Sequence, residues 1–374
     1  MYVQFLGWVV GIATGIVLIL ALIVRVGMLL ARRSPKRYWL PVLGLALILV
    51  PLHVFVTAPN AAAWLAIRMA RTRGDEIFYV GPRIGADGRW ILQERRSWRD
   101  VPADAETAPR DPNEVKSEFE VNFTAQDGVL LRGFLVPPPS RAPKFVAVLT
   151  HGLWRGALEI ETVGAMFRDL GGTVLLLELR NHGRSQHATF TFGVDESHDV
   201  LAAVAFVRAR PELRDLPLVL FGVSLGSAAT ALAAPRVERL AGIVLDAPID
   251  SVGAVADRMV TGRRRLVPQW AWSDLKRALS TWSGTSIDEI APKRELTRLS
   301  SDVRALVIGG ADDARCPPEA AQAVFDAIPC SADRKVLWIE PDADHGKVWH
   351  DAPDRYREHL RAFVTAIVGP EHGS

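Results

Sequence analysis

The sequence predicts an α/β protein in which helices cover an eight-stranded, mostly parallel sheet, preceded by one or two transmembrane helices. Three observations lead to this fold class. Two long apolar runs lie near the N-terminus. From residue 115 onwards, short apolar runs alternate with helix-like stretches, and strands that are apolar on both faces belong to parallel sheets covered by helices. A Gly-x-Ser-x-Gly sequence follows one of these runs directly.

The charge divides the chain into two parts. Residues 1–74 hold eight basic and no acidic side chains, and the rest holds 36 basic and 42 acidic ones. The net charge of +2 therefore combines a basic, apolar N-terminal piece with a mildly acidic body. Basic residues set among apolar runs predict a lipid bilayer as partner and no nucleic acid. A hydrophobic share of 49% excludes a disordered chain, and only two cysteines exclude a disulfide scaffold.

The first apolar run, residues 3–24, carries no charge over its 22 positions. At about 1.5 Å per residue, a helix of this length crosses a hydrocarbon core of roughly 30 Å. Gly7, Gly11 and Gly15 recur every four residues and share one helix face. They either let another helix approach closely or merely reflect the tolerance of glycine in lipid.

The second apolar run, residues 39–56, is interrupted by Pro41, Pro51 and His53, and we expect it to span the membrane as well. A short helix within residues 61–73 is expected to follow it along the membrane surface. A cleaved signal peptide is not expected, because the first run is too long for one and lacks a charged start.

The charges of the anchor predict its orientation. Residues 31–37 carry four basic side chains and are expected on the cytoplasmic side of a plasma or inner membrane, which places the C-terminal body outside the cytoplasm. Three arginines after the second run favour the opposite orientation, namely Arg68, Arg71 and Arg73. The predicted organisation is an anchor over 1–57, a juxtamembrane segment and linker over 58–114, and a globular domain over 115–370.

The globular part is predicted to open with a hairpin. Residues 119–123 alternate apolar and polar side chains, Asp127-Gly128 is a turn signal, and residues 130–136 supply the partner strand. Six more strands are predicted from short apolar runs, at 145–149, 173–177, 218–221, 242–245, 305–308 and 336–339.

Helices are predicted between these strands, at 158–170, 196–209, 225–234 and 318–327. Residues 249–301, between the sixth and seventh strands of the sheet, predict a short helical cap. Three tryptophans in the cap either line an acyl pocket or pack the cap onto the core, namely Trp270, Trp272 and Trp282.

In such sheets, functional side chains gather at the carboxyl ends of the strands. The sequence Gly222–Gly226 follows the strand at 218–221 and opens a helix. Gly222 and Gly226 remove side chains that would clash in a sharp strand-to-helix turn. Ser224 is thereby presented at a helix N-terminus, where backbone N–H groups stabilise developing negative charge. Ser224 is the predicted nucleophile.

A nucleophilic serine needs a base, and the base needs an orienting acid. His345 lies on a loop after the last strand and is the predicted base. Three other histidines follow Ser224 in a helical segment and the tail, namely His350, His359 and His372. Asp313, after the seventh strand, is the predicted acid. Asp312 beside it and Asp246 at the end of the sixth strand are the alternatives.

Two backbone amides are predicted to complete the site. Gly152 permits the turn after the third strand, and the N–H groups of Leu153 and Leu225 would form an oxyanion hole. His151 is expected to serve as a structural hydrogen-bonding residue. The sequence Arg-Asn-His-Gly-Arg-Ser at 180–185 is interpreted as loop architecture, because its ligand spacing does not support a metal site.

This ordered set of motifs strongly resembles the α/β-hydrolase superfamily, particularly its serine aminopeptidase-like and monoacylglycerol lipase-like branch. The resemblance covers about residues 118–367 and rests on Asp127-Gly128, His151-Gly152, residues 180–185, Gly222–Gly226 and the loops of Asp313 and His345. Relatives often carry Gly where Asn181 stands, a difference that touches a loop and not the predicted triad. The resemblance implies hydrolysis of an ester, thioester or amide, and neither a metal nor another cofactor is expected.

The expected function is cleavage of a carboxylic ester by a Ser-His-Asp acyl-enzyme mechanism. The anchor favours a lipid or another small-molecule ester near the bilayer as substrate. The alternatives are a peptidase or amidase with the same triad, and a catalytically silent, membrane-bound binding module.

Overall fold

The structure is a computed structural model. It describes residues 14–16, 18–19, 21–23, 25, 35–68, 70, 81–92, 117–140, 142–261 and 268–369. The chain forms two compact units. One comprises Met1–Met69 and Val260–Ser286, and the other comprises Ala70–Met259 and Ile287–Ser374.

A sheet of eight strands forms the centre of the larger unit, in the order β10-β9-β8-β7-β5-β6-β4-β3. Strand β4 runs antiparallel to both of its neighbours, and the other neighbouring strands are parallel. The predicted eight-stranded, mostly parallel sheet is therefore confirmed. The strands are β1 Arg83–Ile84, β2 Trp90–Ile91, β3 Glu120–Thr124, β4 Leu130–Val136, β5 Phe145–Thr150, β6 Gly172–Glu178, β7 Leu218–Val223, β8 Leu240–Asp246, β9 Arg304–Gly310 and β10 Lys335–Glu340.

Helices alternate with the strands along the larger unit and form the whole of the regular structure described in the smaller one. The α-helices are α1 Pro35–Leu52, α2 Ala58–Arg68, α3 Glu161–Asp169, α4 Glu196–Arg208, α5 Leu225–Ala233, α6 Val252–Thr261, α7 Gln269–Ser283, α8 Pro292–Leu296, α9 Pro318–Ala327, α10 Val348–Asp351 and α11 Pro353–Val368.

The three central strands explain where the site forms. Every residue of β5, β6 and β7 is buried. Because successive side chains of a strand point to opposite faces, this pattern means that both faces of the sheet are covered. Strand β5 pairs with β6 on one side and with β7 on the other. The chain therefore leaves β5 towards one side and β7 towards the other, which opens a crevice at their carboxyl ends.

Part of the predicted juxtamembrane segment belongs to the core of the larger unit. Strands β1 and β2 form an antiparallel hairpin, and Trp90 packs within the main hydrophobic cluster. The indole N–H of Trp90 donates to Glu161 Oε1 at 3.0 Å. Arg168 donates to the carbonyls of Gly88 and Pro137, and so joins the hairpin turn to the end of β4.

The predicted second span lies within one continuous helical stretch. Helix α1 is followed directly by a π-helical turn, His53–Thr57, and then by α2. A separate surface helix beginning near residue 61 was expected, but the chain remains helical through Arg68. Pro51 lacks a backbone N–H, and the wider turn that follows it accommodates the altered hydrogen-bond ladder without ending the helix.

The predicted first span, residues 3–24, falls partly outside the described residues. Its described positions 14–16, 18–19 and 21–23 are helical. A Cβ atom at Gly15 would lie 2.1 Å from His53 Nε2, so only a glycine lets the two helical segments approach this closely here. Within the described residues, Leu43–Arg68 is long and apolar enough to cross a membrane by length and composition.

Candidate active site

Ser224 lies in the sharp turn between β7 and α5. Its backbone adopts φ 55° and ψ −118°, a conformation that side-chain-bearing residues rarely adopt. A Cβ atom at Gly222 would lie 2.3 Å from the Gly226 carbonyl oxygen, and one at Gly226 would lie 2.3 Å from the Thr150 carbonyl oxygen. The two glycines therefore let the turn close against β5.

The three residues of the predicted triad meet in one hydrogen-bonded chain. His345 Nε2 lies 2.8 Å from Ser224 Oγ, and His345 Nδ1 lies 2.7 Å from Asp313 Oδ2. The carboxylate accepts at Nδ1, which leaves Nε2 able to accept the serine proton. This geometry lets the imidazole deprotonate the hydroxyl while the carboxylate stabilises the imidazolium that results.

The backbone of its own loop holds the Asp313 carboxylate in place. Asp313 is 1% exposed, and its Oδ1 accepts from the N–H groups of Arg315 and Cys316 at 2.9 and 2.8 Å. The neighbouring Asp312 is exposed. Of these adjacent aspartates, it is Asp313 that bonds His345.

Asp246, the other candidate acid, bonds a different group. Its Oδ2 accepts from the Tyr356 hydroxyl at 2.8 Å, and its Oδ1 is buried without a partner among the described residues. Burial, reinforced by the negative charges of Asp313 and Glu159, raises the pKa of Asp246 to about 7. The Asp246 backbone carbonyl accepts from the Ser224 N–H at 3.1 Å, so this residue supports the turn of the serine.

The amides of Leu153 and Leu225 have no acceptor within the part of the chain that the structure describes. Both follow strands that border the crevice, and Leu225 is the first residue of α5. Unpaired N–H groups at a helix start stabilise negative charge that develops nearby. Gly152 lies beside the serine, since a Cβ atom on it would be 3.4 Å from Ser224 Cβ.

Two buried histidines hold the loops around this site. His151 Nε2 accepts from the Leu179 N–H, and its Nδ1 therefore donates to the Gly152 carbonyl. His182 Nε2 accepts from the Trp154 N–H. The ring centroids of His151 and His182 lie 4.9 Å apart. Burial lowers the pKa of His182 to about 4 and holds that of His151 well below its usual range. Both imidazoles are therefore neutral at pH 7, and they act as structural hydrogen-bonding groups.

Glu159 contacts the site and carries no motif in the sequence. Its Oε2 accepts from the Gly152 N–H at 2.7 Å, and its Oε1 lies 3.4 Å from Arg155 Nε. The carboxylate thereby fixes the turn that precedes Leu153. Glu159 lies in a short 3₁₀ helix, Ala157–Ile160, seven residues after Gly152. Its role could not be predicted from the sequence, because the sequence does not show that this helix folds back onto Gly152.

The loop at residues 180–185 is held by ion pairs. Arg180 pairs with the buried Asp199 at 2.6 Å and with Asp127 of the first hairpin turn at 2.7 Å. These contacts join β6, α4 and the β3–β4 turn, which agrees with the interpretation of this segment as loop architecture.

One group of side chains near the triad has the composition of a metal site. Asp313, Cys316 and His345 offer donor atoms within 4.8 Å of one another. However, Asp313 and His345 are already hydrogen-bonded to each other. Burial and the Asp313 charge raise the pKa of the Cys316 thiol well above its usual range, which disfavours the thiolate that a metal would need.

The fold and this cluster define a class of protein, namely an α/β protein in which a serine, a histidine and an aspartate meet at the carboxyl edge of a parallel sheet. The family described as "Alpha/beta hydrolase family" matches residues 147–359, which is more than half of the chain. The chain belongs to the alpha/beta hydrolase family.

Relatives with curated descriptions match parts of the chain. It is 24% identical over 263 residues to the uncharacterized protein YfhR of Escherichia coli, a match that covers 68% of this chain and 84% of the relative. It is 32% identical over 136 residues to the thiohydrolase apmlB of Arthrinium phaeospermum, which covers 35% of this chain and 43% of the relative.

Solved structures share the fold. The Pyrococcus furiosus esterase Pf2001 matches with a TM-score of 0.55 at 20% identity, over 67% of this chain and 92% of that one. A thermostable carboxyl esterase from Bacillus coagulans matches with a TM-score of 0.54 at 15% identity, over 67% and 98% of the respective chains. At these identities the likeness establishes the fold.

Proposed function

We propose that the chain is a membrane-anchored serine hydrolase that cleaves carboxylic esters through an acyl-enzyme intermediate. The observation that carries the proposal is the unbroken hydrogen-bonded chain from Asp313 through His345 to Ser224, with distances of 2.7 and 2.8 Å. Membership of the alpha/beta hydrolase family supports a hydrolytic reaction. Within that family, the motifs favour the serine aminopeptidase-like and monoacylglycerol lipase-like branch.

In the first half-reaction, Ser224 Oγ attacks the acyl carbonyl carbon while His345 Nε2 takes the serine proton. The carbonyl oxygen becomes an oxyanion, which the Leu153 and Leu225 N–H groups stabilise. The bond to the leaving group then breaks, and His345 gives its proton to the departing alcohol. Asp313 keeps the imidazole in the correct tautomer throughout.

In the second half-reaction, water repeats the attack on the acyl-enzyme. His345 takes a proton from the water, and the resulting hydroxide attacks the acyl carbon. Collapse of this second oxyanion releases a carboxylic acid and returns the proton to Ser224. Leu153 and Leu225 act again at this step.

The proposed anchor places the enzyme at a membrane. Leu43–Arg68 comprises 26 residues and is roughly 40 Å long at 1.5 Å per residue, against a hydrocarbon core of roughly 30 Å. An anchored hydrolase acts on substrates that are concentrated at the bilayer, so a lipid-like ester is the favoured substrate class. The body is proposed to lie on the exoplasmic side of a plasma or inner membrane.

Labelling by a fluorophosphonate probe tests the chemistry in the full chain, solubilised in detergent. The parent should be labelled, and Ser224→Ala should not. Asp313→Asn should lose on the order of 10³–10⁴-fold in ester turnover, because the imidazole then loses its orienting acid. Its exposed neighbour supplies the matched control, since Asp312→Asn should keep parental turnover. Equal labelling of the parent and Ser224→Ala would refute the assignment.

A substrate series defines the bond that is cleaved. We expect p-nitrophenyl esters and long-chain thioesters to be cleaved faster than aminoacyl p-nitroanilides, when each is compared by kcat/KM. If the aminoacyl amides are cleaved faster, the peptidase interpretation replaces the esterase one. Extending the ester acyl chain from short to long would show whether the site accepts lipid-like acyl groups.

A further inference from the structure

The continuous helix from α1 to α2 changes character at its π-helical turn. Up to and within that turn, many of its large apolar side chains are exposed, including Leu43, Leu47, Ile48, Leu52, Phe55 and Val56. From Ala58 onwards buried side chains appear, namely Ala58, Pro59 and Ala63. Exposed apolar side chains suit lipid, and small buried ones suit close packing against another helix. Buried positions therefore begin just after Thr57, which we take as the boundary, whereas Leu65 further along α2 is still 49% exposed.

The helix that packs on the second half is the predicted cap helix α7, which belongs to the same compact unit as α2. The rings of Trp270 and Phe55 lie 5.0 Å apart. The indole N–H of Trp282 donates to Asn60 Oδ1 at 3.1 Å. Helix α7 therefore contacts the long helix on both sides of the boundary at Thr57.

Three tryptophans of this unit remain partly exposed beside that boundary. Trp64, Trp270 and Trp282 are 44%, 48% and 46% exposed, respectively. An indole ring has an apolar body and one polar N–H, and it is enriched where a bilayer meets water. Trp270 contacts the long helix at Phe55, and Trp282 contacts it at Asn60. Both tryptophans therefore lie close to the point where buried side chains begin along that helix.

The charge of the unit complements an anionic surface. On the α7 side of the spanning helix, its sequence holds six basic residues, Arg68 and five within 260–286, and one acidic residue, Asp274. On α7, Arg277 pairs with Asp274 and still keeps 78% of its side chain exposed. Lys276 lies 5.8 Å from the Trp272 ring centroid, and Arg68 lies 5.7 Å from that of Trp64. Basic groups close to aromatic rings at a membrane surface attract anionic lipid headgroups.

We propose that the cap helix α7 is itself a membrane-binding element, seated in the anionic headgroup layer beside the end of the spanning helix. Trp270 and Trp282 enter the interface, and Lys276, Arg277 and Arg68 contact the lipid phosphates. The inference rests on the anchoring part of the proposed function and is independent of the triad. Its consequence is that the cap of a lipid-directed hydrolase is held at the surface from which the substrate comes.

Depth-dependent fluorescence quenching tests this placement in the full chain, reconstituted in lipid nanodiscs. Two exposed positions of α7 take a fluorophore without removing a tryptophan, through the substitutions Ser273→Cys and Thr281→Cys. The native Cys316 and Cys330 are buried and are not expected to react. We expect lipids with a nitroxide at the headgroup to quench these labels more strongly than lipids with a nitroxide deep in the acyl chain.

A label on the spanning helix tests the membrane anchoring separately from the placement of α7. The Leu47→Cys label should show the reverse order, with stronger quenching by the deep nitroxide. If the Leu47→Cys label is not quenched at all, the anchoring is wrong. If it is quenched but neither α7 label is, the anchoring holds and the placement of α7 is wrong. If the α7 labels escape the nitroxides and instead self-quench as protein density rises, a second copy of the chain covers this face and the proposal fails.

A separate measurement tests whether the basic residues of α7 contribute to its binding of anionic lipid. Quenching of the Ser273→Cys label should rise when anionic lipid replaces part of a zwitterionic bilayer, and the rise should shrink at high salt. The additional substitutions Lys276→Gln and Arg277→Gln should remove most of that rise while leaving the Leu47→Cys control unchanged. Equal quenching in anionic and zwitterionic discs would overturn the assignment of anionic lipid as the partner.

Discussion

At the scale of single residues, two carboxyl groups at the ends of neighbouring strands differ in their surroundings. Asp313 bonds His345 and two backbone amides. Asp246 bonds the Tyr356 hydroxyl and keeps one buried oxygen without a partner among the described residues. A carboxylate with several donors is stabilised in its charged form, whereas one with few donors in a buried site favours the protonated form. For Asp246, burial therefore raises the pKa to about 7 and favours the protonated form below that pH.

The raised pKa of Asp246 predicts a dependence of stability on pH. An aspartate in an unfolded chain has a pKa of about 3.9, whereas in the folded chain it is raised to about 7. Between these values the folded chain retains a proton that the unfolded chain releases. The contribution of this group to the free energy of unfolding is thus present at low pH and is lost as the pH rises to about 7. Asp246→Asn should therefore gain on the parent as the pH rises, and should melt further above it at pH 8 than at pH 5.

Thermal melting of the full chain in detergent checks this expectation. Asp312→Asn is the matched control, because that exposed side chain should leave the pH dependence of the parent unchanged. Other buried acids such as Glu196, whose pKa burial also raises to about 7, are common to all three proteins and cancel in the comparison. A melting difference between parent and Asp246→Asn that is the same at both pH values would contradict the prediction.

At the scale of elements, the β1–β2 hairpin buries one large side chain, Trp90, in the main hydrophobic cluster. Trp90→Ala should destabilise the larger unit by about 3–5 kcal/mol, because it leaves a cavity and removes the bond to Glu161. That loss corresponds to roughly 6–20 °C in Tm for a unit of this size. Ile91→Ala, at the exposed neighbouring position, should change Tm little. Equal effects of the two substitutions would show that the hairpin does not depend on the burial of Trp90.

The elements also show what the sequence could predict. Continuous apolar runs such as 145–149 and 218–221 lie within observed strands, because burial on both faces leaves an unambiguous pattern. The β1–β2 hairpin escaped prediction because each strand has only two residues, too few for any period to appear. The continuity of α1 and α2 escaped it because the apolar run ends at Val56, whereas the helix continues through Arg68.

The residues of the site were also predictable only in part. The sequence predicted Ser224, His345 and Asp313 as a set, because each follows a strand end in a recognisable order, and the structure brings them together. The pattern favoured Asp313 as the acid and kept the adjacent Asp312 as an alternative. Their difference lies in which carboxylate turns inward, and that depends on the loop amides of Arg315 and Cys316. Glu159 was missed because its partner, the Gly152 amide, is defined by tertiary folding.

At the scale of the whole molecule, the proposed orientation is open to direct test. The basic residues within 31–37 predict that the loop between the spans is cytoplasmic and that the body is exoplasmic. A protease added to sealed, right-side-out vesicles should digest the body, and inverted vesicles should protect it. The reverse pattern would show that Arg68, Arg71 and Arg73 determine the orientation. Detergent lysis of both preparations should expose the body equally and serves as the control.

The positive φ of Ser224 implies a trade-off between activity and stability. A side chain held in such a sparsely populated backbone region costs on the order of 1–3 kcal/mol, and the surrounding turn must supply that energy. Alanine retains the Cβ and the strain, whereas glycine removes both. Ser224→Gly should therefore melt above Ser224→Ala, by about 2–4 °C for each kcal/mol released, although both variants are expected to be inactive. The residue proposed to perform the reaction is then also a position at which the fold is weakened.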